Sequence, residues 1–257
     1  MALFDRTARY LARGPAVLFP SDPADALSEL LLRYDPAVRV KSDRLAFRNG
    51  ARLIGPVEVT PELAGKAGLP AGLATAYYAS IVEQGSRATR PDELKWQDAE
   101  RLIRGLAARL GGTVHDERPP MELDLTVSVY SARPLPVEQV ITVMQPFFDD
   151  EIIIERHERA QDAYFLITEE EPPLFVSFFP PRFSTVKWAL PPPALGQLRG
   201  KELSRWNVDT KYQVATAARE LCLRVAEAGL ALASRAGGMV IDAYGFPVEH
   251  PGDLLPR

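Results

Sequence analysis

The sequence predicts an α+β fold of two tandem ferredoxin-like (split βαβ) repeats related by a pseudo-two-fold. The sheets are expected to be antiparallel or mixed, with helices on one face. Three observations predict it. First, the chain alternates between period-two apolar stretches and period-3.6 stripes, the signatures of half-buried strands and amphipathic helices. Second, residues 106–116 (LAARLGGTVHD) align with residues 232–242 (LASRAGGMVID), with seven of eleven positions identical. Third, an apolar strand followed by a proline-opened helix occurs twice, near Leu18-Phe19 and near Val129-Tyr130, closing on Asp35-Pro36 and on Gln145-Pro146. Self-similarity at this level outweighs the assignment of any single element.

In order, Pro15 to Pro20 reads as a buried strand. Ser21-Asp22-Pro23 reads as a helix start, with Asp22 at N-cap and Pro23 at N1. Ala26, Leu27, Leu30, Leu31 and Tyr34 follow at helical spacing. Residues 37–59 read as strands around Asn49-Gly50, a hairpin signal because both residues tolerate positive φ. Pro61 to Gly72 reads as loop or a brief helix, and Leu73 to Val82 fits either a helix or a strand. Ala99, Leu102, Ile103, Leu106, Ala107 and Leu110 form one helical face that stops at Gly111-Gly112.

The second half repeats the plan. Leu123 to Tyr130 alternates as a strand, and Pro134 and Pro136 open a helix through Met144. Ile152 to Ile154, Tyr164 to Ile167 and Leu174 to Phe179 read as strands. A proline-rich connection near 180–200 precedes a helix expected from about Val214 to Arg235, which stops at Gly237-Gly238. Trp96 and Trp206 are read as staples at the starts of the two long helices. The expected domains are therefore 1–120, and 121–257 with the proline-rich insertion and a C-terminal tail.

Composition narrows the function classes. The chain has 257 residues, 46% hydrophobic and 25% charged, an ordinary globular mix. A single cysteine, Cys222, leaves no internal disulfide, and a reducing, cytoplasmic setting is expected. No apolar run approaches the roughly 20 residues that span a bilayer, so no membrane role is expected. A net charge of −4 argues against nucleic acid, whose phosphates call for clustered Lys and Arg. A weaker nucleic-acid reading rests on the sheet aromatics Tyr130 and Phe175.

Motifs for chemistry are sparse. No zinc spacing, nucleophile elbow or phosphate loop is present, so neither a metal nor a cofactor is expected. Cys222 sits in an apolar helical stripe, where burial makes a thiol inert. In the repeated Gly-Gly-x-Val-x-Asp, glycine at C′ takes a left-handed φ, the second glycine permits close helix–sheet packing, and the aspartate caps the next turn. A functional version would bring Asp116, His115 and Asp242 together in an acidic site between the repeats, for an enzyme or small-ligand binder. The favoured expectation is non-enzymatic: a module that binds a partner protein or self-associates. Its contact surface is expected at Phe179, Arg182, Phe183 and Trp188, because aromatics and arginine dominate interface cores.

Overall fold

Two compact units, Met1–Met121 and Glu122–Leu255, each carry their own antiparallel sheet in the computed structural model. The structure describes residues 2–41, 44–81, 92–118, 123–156, 162–168, 174–180, 193, 202–214 and 216–255.

The first unit runs α1 (Ala2–Arg13), β1 (Ala16–Phe19), α2 (Ala24–Tyr34), β2 (Arg39–Lys41), β3 (Arg44–Ala46), β4 (Ala51–Glu58), α3 (Pro61–Ala67), β5 (Thr75–Ile81), α4 (Asp92–Leu110) and β6 (Thr113–His115). Its six strands lie in the order β2-β3-β4-β5-β1-β6. Alternation along β1 sends Ala16 and Leu18 to one face and Val17 and Phe19 to the other, and all four are buried. Ala8 and Leu11 of α1 and Leu63 and Ala67 of α3 pack on the first face. Long helix α4 lies against β1, β4 and β5, with Ala99, Leu102, Ile103 and Leu106 fully buried. Helices therefore cover both faces here, not one as expected. The difference lies in α1, whose amphipathic stripe the sequence reading left unassigned, and in α3, read as loop or brief helix. Thr60 starts α3 by accepting the Leu63 N–H at 3.2 Å, which satisfies a donor that a helix end leaves orphaned.

Three more differences have local causes. Residues 75–81 form a strand, because β5 completes ladders with both β1 and β4. Asp22 does not cap α2: Pro23 holds N-cap without a side-chain bond, and Asp22 Oδ1 instead accepts the Tyr77 hydroxyl at 3.1 Å. Asp35, fully buried past the end of α2, is satisfied by the N–H groups of Ala37 and Arg48 and by the Arg48 guanidinium at 3.2 Å. Asn49-Gly50 forms the expected tight turn between β3 and β4, with Gly50 at φ +90°.

The second unit runs β7 (Asp124–Ser131), α5 (Val137–Met144), β8 (Ile153–Arg156), β9 (Tyr164–Ile167), β10 (Phe175–Phe179), β11 (Ser204–Gln213), α6 (Arg219–Ala236), β12 (Met239–Asp242) and β13 (Pro247–Val248). Single 3-10 turns follow α5 and β13. The sheet order is β13-β12-β7-β11-β10-β9-β8. Helices α5 and α6 bury Val140, Met144, Val225, Ala226 and Leu232 against Leu125, Val127, Val129, Val176, Trp206 and Val208. Gly229 lets α6 approach closely: a Cβ there would lie 2.6 Å from Val127 Cγ2.

Trp206 is not a staple at a helix start. It sits in the middle of β11, fully buried, and its indole N–H donates to the Tyr164 hydroxyl at 3.3 Å. Phe178 packs between them, stacked on Tyr164 and tilted against Trp206. The expected helix start near Val214 moves to Arg219 for the same reason, since β11 uses the chain up to Gln213.

Candidate functional site

The repeated Gly-Gly-x-Val-x-Asp builds the same junction in both units. Gly111 and Gly237 take φ +68° and +63° at the ends of α4 and α6. The next glycine then meets the neighbouring strand. A Cβ on Gly112 would lie 2.6 Å from the Phe19 ring, and one on Gly238 would lie 2.5 Å from the Tyr130 carbonyl oxygen. Each aspartate turns the chain: Asp116 Oδ1 accepts the Arg118 N–H, and Asp242 Oδ1 accepts the N–H groups of Tyr244 and Phe246. Asp116 also holds the Arg118 side chain through Nε at 3.2 Å and Nη2 at 3.0 Å. The Arg118 guanidinium lies 5.1 Å from the centre of the Trp96 ring, tying the segment after β6 to α4.

His115 is half-buried in β6, paired with Ala16, and its Nε2 is buried without a hydrogen-bond partner. Each of the three weak catalytic candidates thus has a local structural setting within its own unit: His115 in a ladder, and Asp116 and Asp242 in turns. Cys222 is buried in α6, and burial pushes its thiol upward, as an inert core cysteine requires. Among the described residues no group of three His, Cys, Asp or Glu side chains is arranged to hold a metal ion. His157 lies outside the described residues.

Of the expected contact residues, Arg182, Phe183 and Trp188 lie outside the described residues. Phe179 is described. It closes β10, half-buried, with the Arg205 guanidinium 4.6 Å from its ring centre. This pair belongs to the sheet face opposite α5 and α6. Register places three cross-strand rows there: Phe175, Asp209 and Thr126; Ser177, Asn207 and Ser128; Phe179, Arg205 and Tyr130. Asp209 Oδ1 accepts the Thr126 hydroxyl in a short hydrogen bond, and Oδ2 accepts the Ser177 hydroxyl at 3.0 Å. Burial raises the Asp209 pKa, against the opposing pull of the two hydroxyls and Arg205. Ser128 donates to Asn207 at 2.9 Å. Tyr130 and Phe175 both lie on this face, but Tyr130 is 6% exposed and packs with Leu203 and Ile241, which leaves little ring for a base to stack on.

An accessible feature of this unit is the strand at the edge of its sheet, β8. Among the described residues β8 pairs with β9 alone, and all four of its residues are exposed. Ile153 and Ile154 are 37% and 39% exposed and sit on opposite sides of the strand. The other end of the sheet is blunted by a two-residue strand containing Pro247. In the first unit the corresponding edge is β2, where Val40 is 74% exposed. The sequence identified the isoleucines as a strand; their edge position was not legible, because strand order is a property of the tertiary fold.

Among the described residues no helix is long and apolar enough to cross a membrane. No protein family, curated protein or solved structure matches this chain.

Proposed function

We propose that this chain is a non-enzymatic protein-binding module that associates with a second copy of itself by strand addition at β8. The observation that carries the reading is the exposed edge strand with two isoleucines, whose outer side no described strand pairs with. Edge strands are templates for pairing, and proteins that stay monomeric blunt them with lysine, proline or bulges. β13 is blunted in this way; β8 carries neither lysine nor proline, and its charges, Glu155 and Arg156, follow the two isoleucines. The occupied oxygens of Asp116 and Asp242 support the capping role for that repeat over an acidic site between the units. Phe179 itself is covered by Arg205, whereas Ile153 and Ile154 are exposed, which supports β8 as the contact surface over Phe179.

Symmetry restricts the register. A two-fold perpendicular to the sheet pairs antiparallel strands residue to residue around one position. Centring on Glu155 would oppose like charges, whereas centring on Ile154 pairs two isoleucines and sets Ile153 beside Glu155 of the second copy. An Ile154→Cys variant then tests the geometry, since the native Cys222 is buried. Mild oxidation is expected to give a reducible dimer from Ile154→Cys and little from Glu155→Cys, whose copies would be about two residues out of register, near 7 Å along the strand. Equal yields at the two positions, or none at 154, would contradict this reading.

The two units are further proposed to be duplicates of one split βαβ ancestor. The strand orders support this: β2-β3-β4-β5-β1-β6 corresponds term by term to β8-β9-β10-β11-β7-β12. Within each, four strands (β4-β5-β1-β6 and β10-β11-β7-β12) follow the ferredoxin-like order, with a helix after the first and third in chain order. The shared glycine–aspartate junction falls at matching places in both.

A further inference from the structure

We propose that the outward stripe of α1, formed by Arg6, Arg9, Tyr10 and Arg13, docks an acidic polypeptide segment. These positions follow i, i+3, i+4 and i+7, one face of a helix about 10 Å long. All four side chains are exposed, Tyr10 at 40%. Tyr10 is fixed rather than free: its ring stacks on Tyr78 with centroids 5.5 Å apart and planes 10° apart, and the Arg6 guanidinium lies over it and bonds its hydroxyl. Arg9 and Arg13 have no ion-pair or hydrogen-bond partner for their side chains among the described residues. Three like charges therefore line one face of a chain whose net charge is −4. Like charges at these spacings repel weakly on an exposed helix, an acidic partner relieves that repulsion, and arginine matches carboxylates in bidentate geometry.

Two other anionic partners fit less well. The described apolar side of α1, Ala8 and Leu11, is buried against α3 and the first sheet, so among the described side chains it offers no apolar face to a bilayer. The Tyr10 ring is already engaged by Tyr78 and Arg6, which disfavours the base stacking that single-stranded nucleic acid uses. The surface lies in the first unit and does not depend on β8.

The test uses the full chain and fluorescein-labelled poly-L-glutamate, read by anisotropy. The double variant Arg9→Ala/Arg13→Ala is expected to bind about fivefold to tenfold more weakly than the parent. The control Arg39→Ala removes an exposed arginine elsewhere in the unit and is expected to leave affinity unchanged. Parent affinity is expected to fall as salt rises. Equal affinities for the double variant and the control, salt-independent binding, or tighter binding to poly-uridylate or to phosphatidylserine vesicles than to poly-glutamate would each overturn the proposal.

Discussion

Asp209 illustrates how one residue ties sheet chemistry to stability. Its carboxylate collects hydroxyls from strands on either side, Thr126 of β7 and Ser177 of β10, while burial raises its pKa above the ordinary carboxylate value of about 3.9. The sign follows from linkage. In the window between the unfolded and the raised folded pKa, the native state holds more protons than the unfolded chain. Stability therefore declines as pH rises through that window, and the deficit persists above it. Asn at this position keeps one acceptor for a hydroxyl and carries no charge. Urea titrations of Asp209→Asn and the parent are expected to show the parent losing stability relative to the variant as pH rises above about 4. Parallel curves for the two proteins would contradict this. At this scale the sequence was legible where a rule is local. The apolar neighbours of Cys222 mark a core thiol, and the place of each aspartate after its glycine pair marks a turn cap. Asp22 was misassigned because its competing partner, Tyr77, lies 55 residues away and no local pattern announces it.

The helix–glycine–strand junction is the element that the two units share most closely. The two close glycines differ in what a new Cβ would meet. At Gly112 it meets the side chains of Phe19 and Val17; at Gly238 it meets the Tyr130 carbonyl oxygen and Ser131 Cβ. A side chain shifts at lower cost than a backbone. Gly112→Ala and Gly238→Ala are each expected to cost about 1–3 kcal/mol, with Gly238→Ala the larger, by urea unfolding. A smaller loss at Gly238 would contradict the packing account. Element assignment from sequence succeeded for α2, α4, α5 and the Asn49-Gly50 hairpin, where spacing or turn chemistry is self-sufficient. It failed at Trp206. There, buried Ser204, Trp206, Val208 and Thr210 alternate with half-buried Arg205, Asn207 and Asp209. That period of two is legible, but a tryptophan ahead of an apolar helical stripe also fits a staple, and pairing with β7 and β10 decides for a strand. The strand identity of 75–81 comes from pairing with β1 and β4, contacts that its own residues do not encode.

For the whole molecule, the two sheets share a strand order but differ in how they are covered. The first has helices on both faces, with α1 and α3 supplying the second layer. The second places α5 and α6 on one face and a polar, aromatic set of rows on the other. The repeat is legible in eleven residues around each glycine stop, while the proposed interface is not. Junction geometry is written locally, whereas an edge exists only once strands have been ordered.

Sedimentation equilibrium of the unmodified full chain beside its Ile154→Lys variant tests self-association most directly. Lysine on an edge opposes strand addition by burying a charge at the seam. The account predicts a concentration-dependent monomer–dimer equilibrium for the parent and a monomer for the variant, with both folded. A parent that stays monomeric at every concentration, or a lysine variant that dimerises as well as the parent, would contradict it.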